Sequence, residues 1–177
     1  MKSSERFQAW MKAETGFKDH LQFIYLQAEG NILELGVREG VSTSALVYGV
    51  EQNSGHVWSV DLNERCYDVF RGHPNWTFIH GNSLDVARLE EGGVPEKLDL
   101  LFCDTIHTTE QVSLELKTWG PRVKVSGLIL VHGINKYPQT QDVCEAYAKS
   151  NGLMFRARPG NSGLGVITSP DRKGDGL

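Results

Sequence analysis

From Asn31 to Thr168 the chain switches repeatedly between short apolar runs and stretches of helical periodicity, and few folds accept that pattern. NILELGV, HVWSVDL, WTFIHGN, LDLLFCDT and SGLILVHG read as strands. The segments between and after them, STSALVYGVEQ, NERCYDVFRG, SLDVARLEE, TTEQVSLELKTWG and TQDVCEAYAKSNG, read as helices, the last two closed by Gly120-Pro121 and Asn151-Gly152. Such alternation implies βαβ units and a parallel sheet covered on both faces, so an α/β fold. The apolar runs are nearly continuous, which suits strands buried on both sides. LMFRARP and GLGVITS around PGNSG predict a closing hairpin that adds antiparallel pairing at the sheet edge.

The remaining bounds come from length and charge. A chain of 177 residues suits a single domain over 1–177: a helical cover over 1–29, the core over 30–169 and a frayed polar tail over 170–177. In the cover Phe7, Trp10, Met11, Phe17, Leu21, Ile24 and Tyr25 recur at helical spacing, with a break expected near Gly16. A net charge of -4 gives no basic footprint, so nucleic acid is not the expected partner. The apolar runs fall far short of the roughly 20 residues that span a bilayer, and the N-terminus lacks the apolar centre of a signal peptide. Three scattered cysteines without a CxxC pair suggest reduced thiols and a cytoplasmic protein, with Cys103 a small core residue.

In sheets of this kind ligands bind beyond the carboxyl ends of the strands. The first strand ends in Glu34-Leu35-Gly36, followed by Gly40, Ser42 and Thr43 at the start of a helix. Two glycines let the backbone turn tightly and let a ligand touch it, and the helix offers its free N–H groups there. A carboxylate on the turn would repel pyrophosphate and attract an amine or a sulfonium. Position 38 is Arg, so the GxGxxG fingerprint of nicotinamide dinucleotide sites is missing. The plainer alternative is a strand–helix turn in which Glu34 caps local amides.

The second strand ends at Asp61, 25 positions after Gly36, where an acid can take both hydroxyls of a ribose or simply cap the next helix. Asn82 and Ser83 follow the third strand and suit an adenine edge, although Ser83 is equally an N-cap candidate. The fourth strand ends in Cys103-Asp104-Thr105-Ile106-His107 and the fifth in His132-Gly133. A histidine beside a carboxylate suits proton abstraction, whereas the bland reading has His107 capping a helix and His132 ending a strand. His20, His56, His73 and His80 have no comparable setting and read as surface or packing residues, and Arg156 and Arg158 as one solvated strand face.

In order, ILELGVREGVST, VWSVDLN, HGNSLDV, LDLLFCDTIHTTEQV and SGLILVHG resemble the motifs of class I S-adenosylmethionine-dependent methyltransferases. They are most similar to the small-molecule O-methyltransferase branch with an Asp-x-x-His motif, over about residues 31–168. The resemblance implies a Rossmann-like doubly wound sheet of seven strands in the order 3-2-1-4-5-7-6, the last antiparallel. It would put Glu34, Leu35, Gly36, Gly40, Ser42 and Thr43 around the methionine part of S-adenosylmethionine, Asp61 and Leu62 at the ribose, and Asn82 and Ser83 at the adenine. His107 carries the general-base role, with His132 the next candidate. Asp104 would hold the cofactor's ammonium side or a divalent ion.

Where relatives often read Asp-Gly-Asp-His this chain has Asp104-Thr105-Ile106-His107, and Gly133 stands where an acid often ends the fifth strand. Without that acid no metal site is expected. The expected reaction is methyl transfer to an oxygen of a small sugar- or phenol-like molecule, with S-adenosylhomocysteine as product. The rivals are a cofactor-binding protein that has lost turnover and a nicotinamide-dependent oxidoreductase. Little sequence is left to build a lid, so the N-terminal helices, or a partner subunit in a homo-oligomer formed through them, are the expected cover.

Overall fold

The computed structural model describes residues 1–172. Seven strands form one sheet: β1 (Gly30–Leu35), β2 (Gly55–Asp61), β3 (Trp76–His80), β4 (Leu98–Cys103), β5 (Val123–His132), β6 (Met154–Arg158) and β7 (Leu164–Thr168). Their order is β3-β2-β1-β4-β5-β7-β6, as expected. β1 to β5 pair in parallel, and β7 runs antiparallel between β5 and β6. The central strands β1 and β4 are buried along their last four residues, because both of their faces are covered.

Two apolar layers sandwich the sheet. On one face α1 (Ser3–Lys12), α2 (Leu21–Gln27) and α3 (Val41–Asn53) enclose Phe7, Ile24, Ile32, Leu46, Phe102 and Leu130. On the other, α4 (Val86–Glu91), α5 (Thr109–Trp119) and α6 (Pro138–Ser150) enclose Leu33, Leu89, Leu101, Leu116, Trp119 and Ile129. Cys66, Cys103 and Cys144 are buried and unpaired. No helix of the described residues is long and apolar enough to cross a membrane.

Local departures from expectation have physical causes. The segment after β2 is a 3-10 helix (Glu64–Val69), capped by Asn63, whose side chain accepts the Arg65 N–H at 3.1 Å. Asp61 is therefore not its N-cap. The cap of α4 is Asp85, which accepts from Arg88 N–H at 3.1 Å, so Ser83 is free for another role. The expected break near Gly16 widens into residues 13–20 between α1 and α2. Of the expected frayed tail, Arg172 instead donates to the Ser126 carbonyl at 2.6 Å and to Gln27 Oε1 at 3.0 Å, and 173–177 lie outside the described residues.

Candidate active site

The turn after β1 is built on Gly36 and Gly40, at φ 92° and 77°. A Cβ on Gly36 would strike the Asp104 carbonyl, so glycine lets the tips of β1 and β4 approach. Between these glycines Arg38 holds φ 48°, a conformation that costs a non-glycine residue about 1 kcal/mol or more. Asp61 holds it there: its Oδ2 accepts from Val37 N–H at 2.8 Å and Arg38 N–H at 3.2 Å, and its Oδ1 from Asn63 N–H at 2.8 Å. A carboxylate has about four acceptor positions, so this one keeps about one for a ligand hydroxyl.

Glu34 sits under the turn instead of on it. Its side chain is fully buried, with Ser42 Oγ donating at 2.7 Å, Thr43 Oγ1 at 2.9 Å and Ser59 Oγ at 2.6 Å. Ser59 in turn accepts from Trp76 Nε1–H at 2.8 Å. Burial pushes the Glu34 carboxyl up to about 7, against the pull of the three hydroxyls. It faces no cavity. Leu35 and Thr43 are likewise fully buried, whereas Ser42 reaches the cavity wall.

Two cavities open at the strand ends and share Arg38 and Asp104. The outer one, about 420 Å³, is lined by Gly36, Asp61, Leu62, Asn82, Ser83, Ile106 and Gln111. Leu62 and Ile106 are 74% and 64% exposed, which leaves two apolar side chains free to cover a flat ring. Asn82 uses Oδ1 to accept from Leu84 N–H at 2.9 Å. Ser83 points its hydroxyl inward to Glu115 Oε1 at 2.7 Å, so its backbone, not its side chain, is what a ligand would meet.

Glu115 is a structural residue that the sequence reading missed. It is fully buried and also accepts from Thr105 Oγ1 at 2.9 Å and Gln111 Nε2 at 2.8 Å, tying α5 to both loops of this cavity. Burial raises its carboxyl, against those hydrogen bonds. Its signal was a lone acid between the apolar positions Val112, Leu116 and Trp119.

The inner cavity, about 380 Å³, is lined by Trp10, Phe17, Ser42, Asp104, His107, His132 and Tyr137 among others. At its floor Asp104 Oδ1 lies 3.0 Å from His132 Nδ1 and 3.4 Å from His107 Nε2. Burial pulls the Asp104 carboxyl up, but the two imidazoles outweigh it and hold it below the usual carboxylate value. His132 Nε2 lies 3.2 Å from the Gly16 carbonyl. The two ring nitrogens of His132 thus face a carboxylate and a backbone carbonyl, and both are engaged. The ring stacks on Phe17, centroids 3.8 Å apart.

His107 is differently placed. It stacks on Tyr137 at 4.3 Å and holds Nε2 on the Asp104 side, 3.4 Å from Oδ1; a neutral ring that donates there has Nδ1 as its acceptor. Gly133 makes room for it: a Cβ there would lie 2.8 Å from the ring. A side chain at 133 would therefore require the His107 ring to move. Among the described residues no group of three or more His, Cys, Asp or Glu side chains is arranged to hold a metal ion.

The sheet order, the glycine turn and the paired cavities at the strand tips together define a class I, Rossmann-like methyltransferase fold. Residues 33–134 match the methyltransferase domain family, and the chain belongs to it. No curated protein matches the chain in sequence. Among solved structures it is similar to an O-methyltransferase from Bacillus cereus in complex with S-adenosylhomocysteine: 17% identity, 94% of this chain and 90% of that one, TM-score 0.69. A methyltransferase from Podospora anserina with S-adenosylhomocysteine bound is similar at 13% identity, over 96% and 88%, TM-score 0.65. So is the fibrillarin pre-rRNA processing protein of Methanococcus jannaschii, at 14% identity, over 88% and 75%, TM-score 0.66. The chain is thus an S-adenosylmethionine-dependent methyltransferase, and the nicotinamide-dependent alternative falls away.

Proposed function

We propose that the protein methylates a hydroxyl oxygen of a small molecule held in the inner cavity, with His107 as general base. The observation that carries this reading is the Asp104–His107 pair at the floor between the two cavities. The outer cavity suits adenosine: Leu62 and Ile106 cover the base, Asp61 keeps a lone pair for the ribose, and Asn82 with the Ser83 backbone lies at the base edge. The methionine part lies along Gly36 and Gly40 towards Ser42, with Glu34 setting the Ser42 and Thr43 hydroxyls from below. When bound, S-adenosylmethionine supplies an electrophilic methyl group on sulfur.

The residues of the chain do the rest. Asp104 orients the His107 ring, and Nδ1 takes the proton that the acceptor hydroxyl gives up as its oxygen forms the new bond to carbon. Phe17, Trp10 and Tyr137 hold the acceptor close, and positioning of this kind contributes most of the rate in such a transfer. His132 is committed at both nitrogens and supports Asp104 from the other side.

A small acceptor is favoured over RNA because the cavity is walled by the N-terminal segment and the chain is net negative at -4. That wall comes from the chain itself. Phe7, Leu21, Phe23 and Ile24 of the N-terminal helices are spent on its own core, so self-association through these helices is not needed to close the site.

The test is a screen with methyl-labelled S-adenosylmethionine against hydroxylated sugars, phenols and structured RNA. Label in a small hydroxylated compound supports the reading. Label in RNA alone, or tight S-adenosylhomocysteine binding with no transfer to any acceptor, overturns it, the latter in favour of a binding protein.

A further inference from the structure

No motif marks residues 13–20, yet this strap supplies the wall of the inner cavity. It is seated at three points. Gly16 presents its carbonyl to His132, Phe17 stacks on the same ring, and Asp19 Oδ2 accepts from Asn161 N–H at 3.0 Å. Behind these contacts lies His20. Its ring is fully buried, edge-on to His132 at 6.3 Å, and neither nitrogen has a hydrogen-bond partner among the described residues. A Cβ on Gly160 would come within 2.8 Å of it, so the β6–β7 turn closes directly over the ring.

We propose that His20 is a positioning residue for the acceptor cavity: as an uncharged ring it seats the 13–20 strap against the His132 ring, and charging it releases the strap while the cofactor cavity stays intact.

The surroundings of His20 oppose charge from nearly every side. β5 presents the His132 ring, and β6 presents Arg158, a cation whose guanidinium lies 3.9 Å from the Phe23 ring. The turn over the ring offers Gly160 and Asn161, neither charged. Among the described residues, the anion that favours charge on the ring is Asp19 on the strap itself, and it already accepts from the Asn161 backbone. Asp104 lies on the far side of His132 and is engaged by it.

Burial, with His132 next, pushes the His20 imidazole down from 6.5 to about 4. The sign follows directly. A released strap takes up a proton below pH 6.5 and a seated one does not until about 4, so seating is complete above 6.5 and weakens as pH falls between those values. Each unit is worth tenfold, which bounds the shift in the seating equilibrium at about 300-fold, less whatever solvent screens. The proposal rests on the functional reading only for what occupies the cavity, and its test uses no acceptor, so the two stand or fall separately.

The test is backbone hydrogen exchange across 13–20 in the full-length protein at pH 7.5 and 5.0, corrected for intrinsic rates, with S-adenosylhomocysteine affinity as the control. Protection of the strap is expected to fall at least tenfold at pH 5.0 while β1 amides and ligand affinity hold. His20→Leu should keep the strap protected at both pH values, and His20→Lys should expose it at both. Protection independent of pH in the wild type, or a pH dependence unchanged in His20→Leu, overturns the proposal. Should His20→Leu not fold, the ring proton of His20 followed by NMR in the wild type decides the matter: titration at an ordinary histidine value with the strap still protected refutes it.

Discussion

Replacing Glu34 by glutamine tests whether the buried carboxyl under the β1 turn is the device described above. Its carboxyl is pushed by burial from 4.5 up to about 7, so between those pH values the folded chain holds a proton that the unfolded chain has released. Raising the pH through that window therefore costs stability. Over about 2.5 units at 1.36 kcal/mol each, the loss is about 3 kcal/mol, undiluted by solvent because the side chain is fully buried. Glutamine does not titrate, but it replaces one acceptor oxygen by a donor facing Ser59, which already accepts from Trp76. That mismatch costs about 1–2 kcal/mol at every pH.

Glu34→Gln should thus be less stable than wild type near pH 4.5 and as stable or more stable at pH 8. The assay is urea denaturation of both proteins at half-unit steps, read as the difference between them, which cancels every other titrating group. A difference that stays constant from pH 4.5 to 8 would show that Glu34 does not titrate in this range and refute the reasoning.

Other expectations follow from the site. Asp61→Ala should weaken S-adenosylhomocysteine binding by about 1.5–3 kcal/mol, roughly ten- to 150-fold by calorimetry, and Asp61→Asn nearly as much, because its amide would face the Asn63 N–H. Unchanged affinity in folded variants would remove Asp61 from the cofactor site. Gly133→Asp should displace His107 and lower turnover at least as far as losing that ring does, since φ 86° and the 2.8 Å contact both forbid a side chain; wild-type rates would refute the packing argument. Methyl transfer is expected to survive exhaustive EDTA, because Asp104 is already shared between two imidazoles; loss restored by magnesium alone would contradict this.

Much of this was legible in the sequence because the relevant signals are local. Strand ends, glycine turns and apolar periodicity lie within a few residues of one another, so the sheet order and the positions of Asp61, Asn82, Asp104 and His107 could be read. What escaped depends on pairs distant in the chain. Gly16 and His132 are 116 residues apart, and nothing near either marks the contact that engages the second nitrogen of His132. His20 reads as an ordinary polar residue until the β6–β7 turn is seen over it. Glu34 was placed on the right turn, but its side-chain direction depends on Ser59 from β2, which a single strand's pattern does not reveal. His107 and His132 look alike in sequence, yet His132 is engaged at both ring nitrogens and His107 meets Asp104 with one.

The central claim, methyl transfer to oxygen with His107 taking the proton, is tested most directly by single-turnover transfer of a ¹³C-methyl group to the best acceptor, comparing wild type with His107→Ala. The product should show an O–CH₃ resonance, and the variant should bind S-adenosylhomocysteine as wild type does while transferring roughly 10²–10⁴-fold more slowly. An equal single-turnover rate in the variant, or a methyl group found on nitrogen or carbon, would contradict the account.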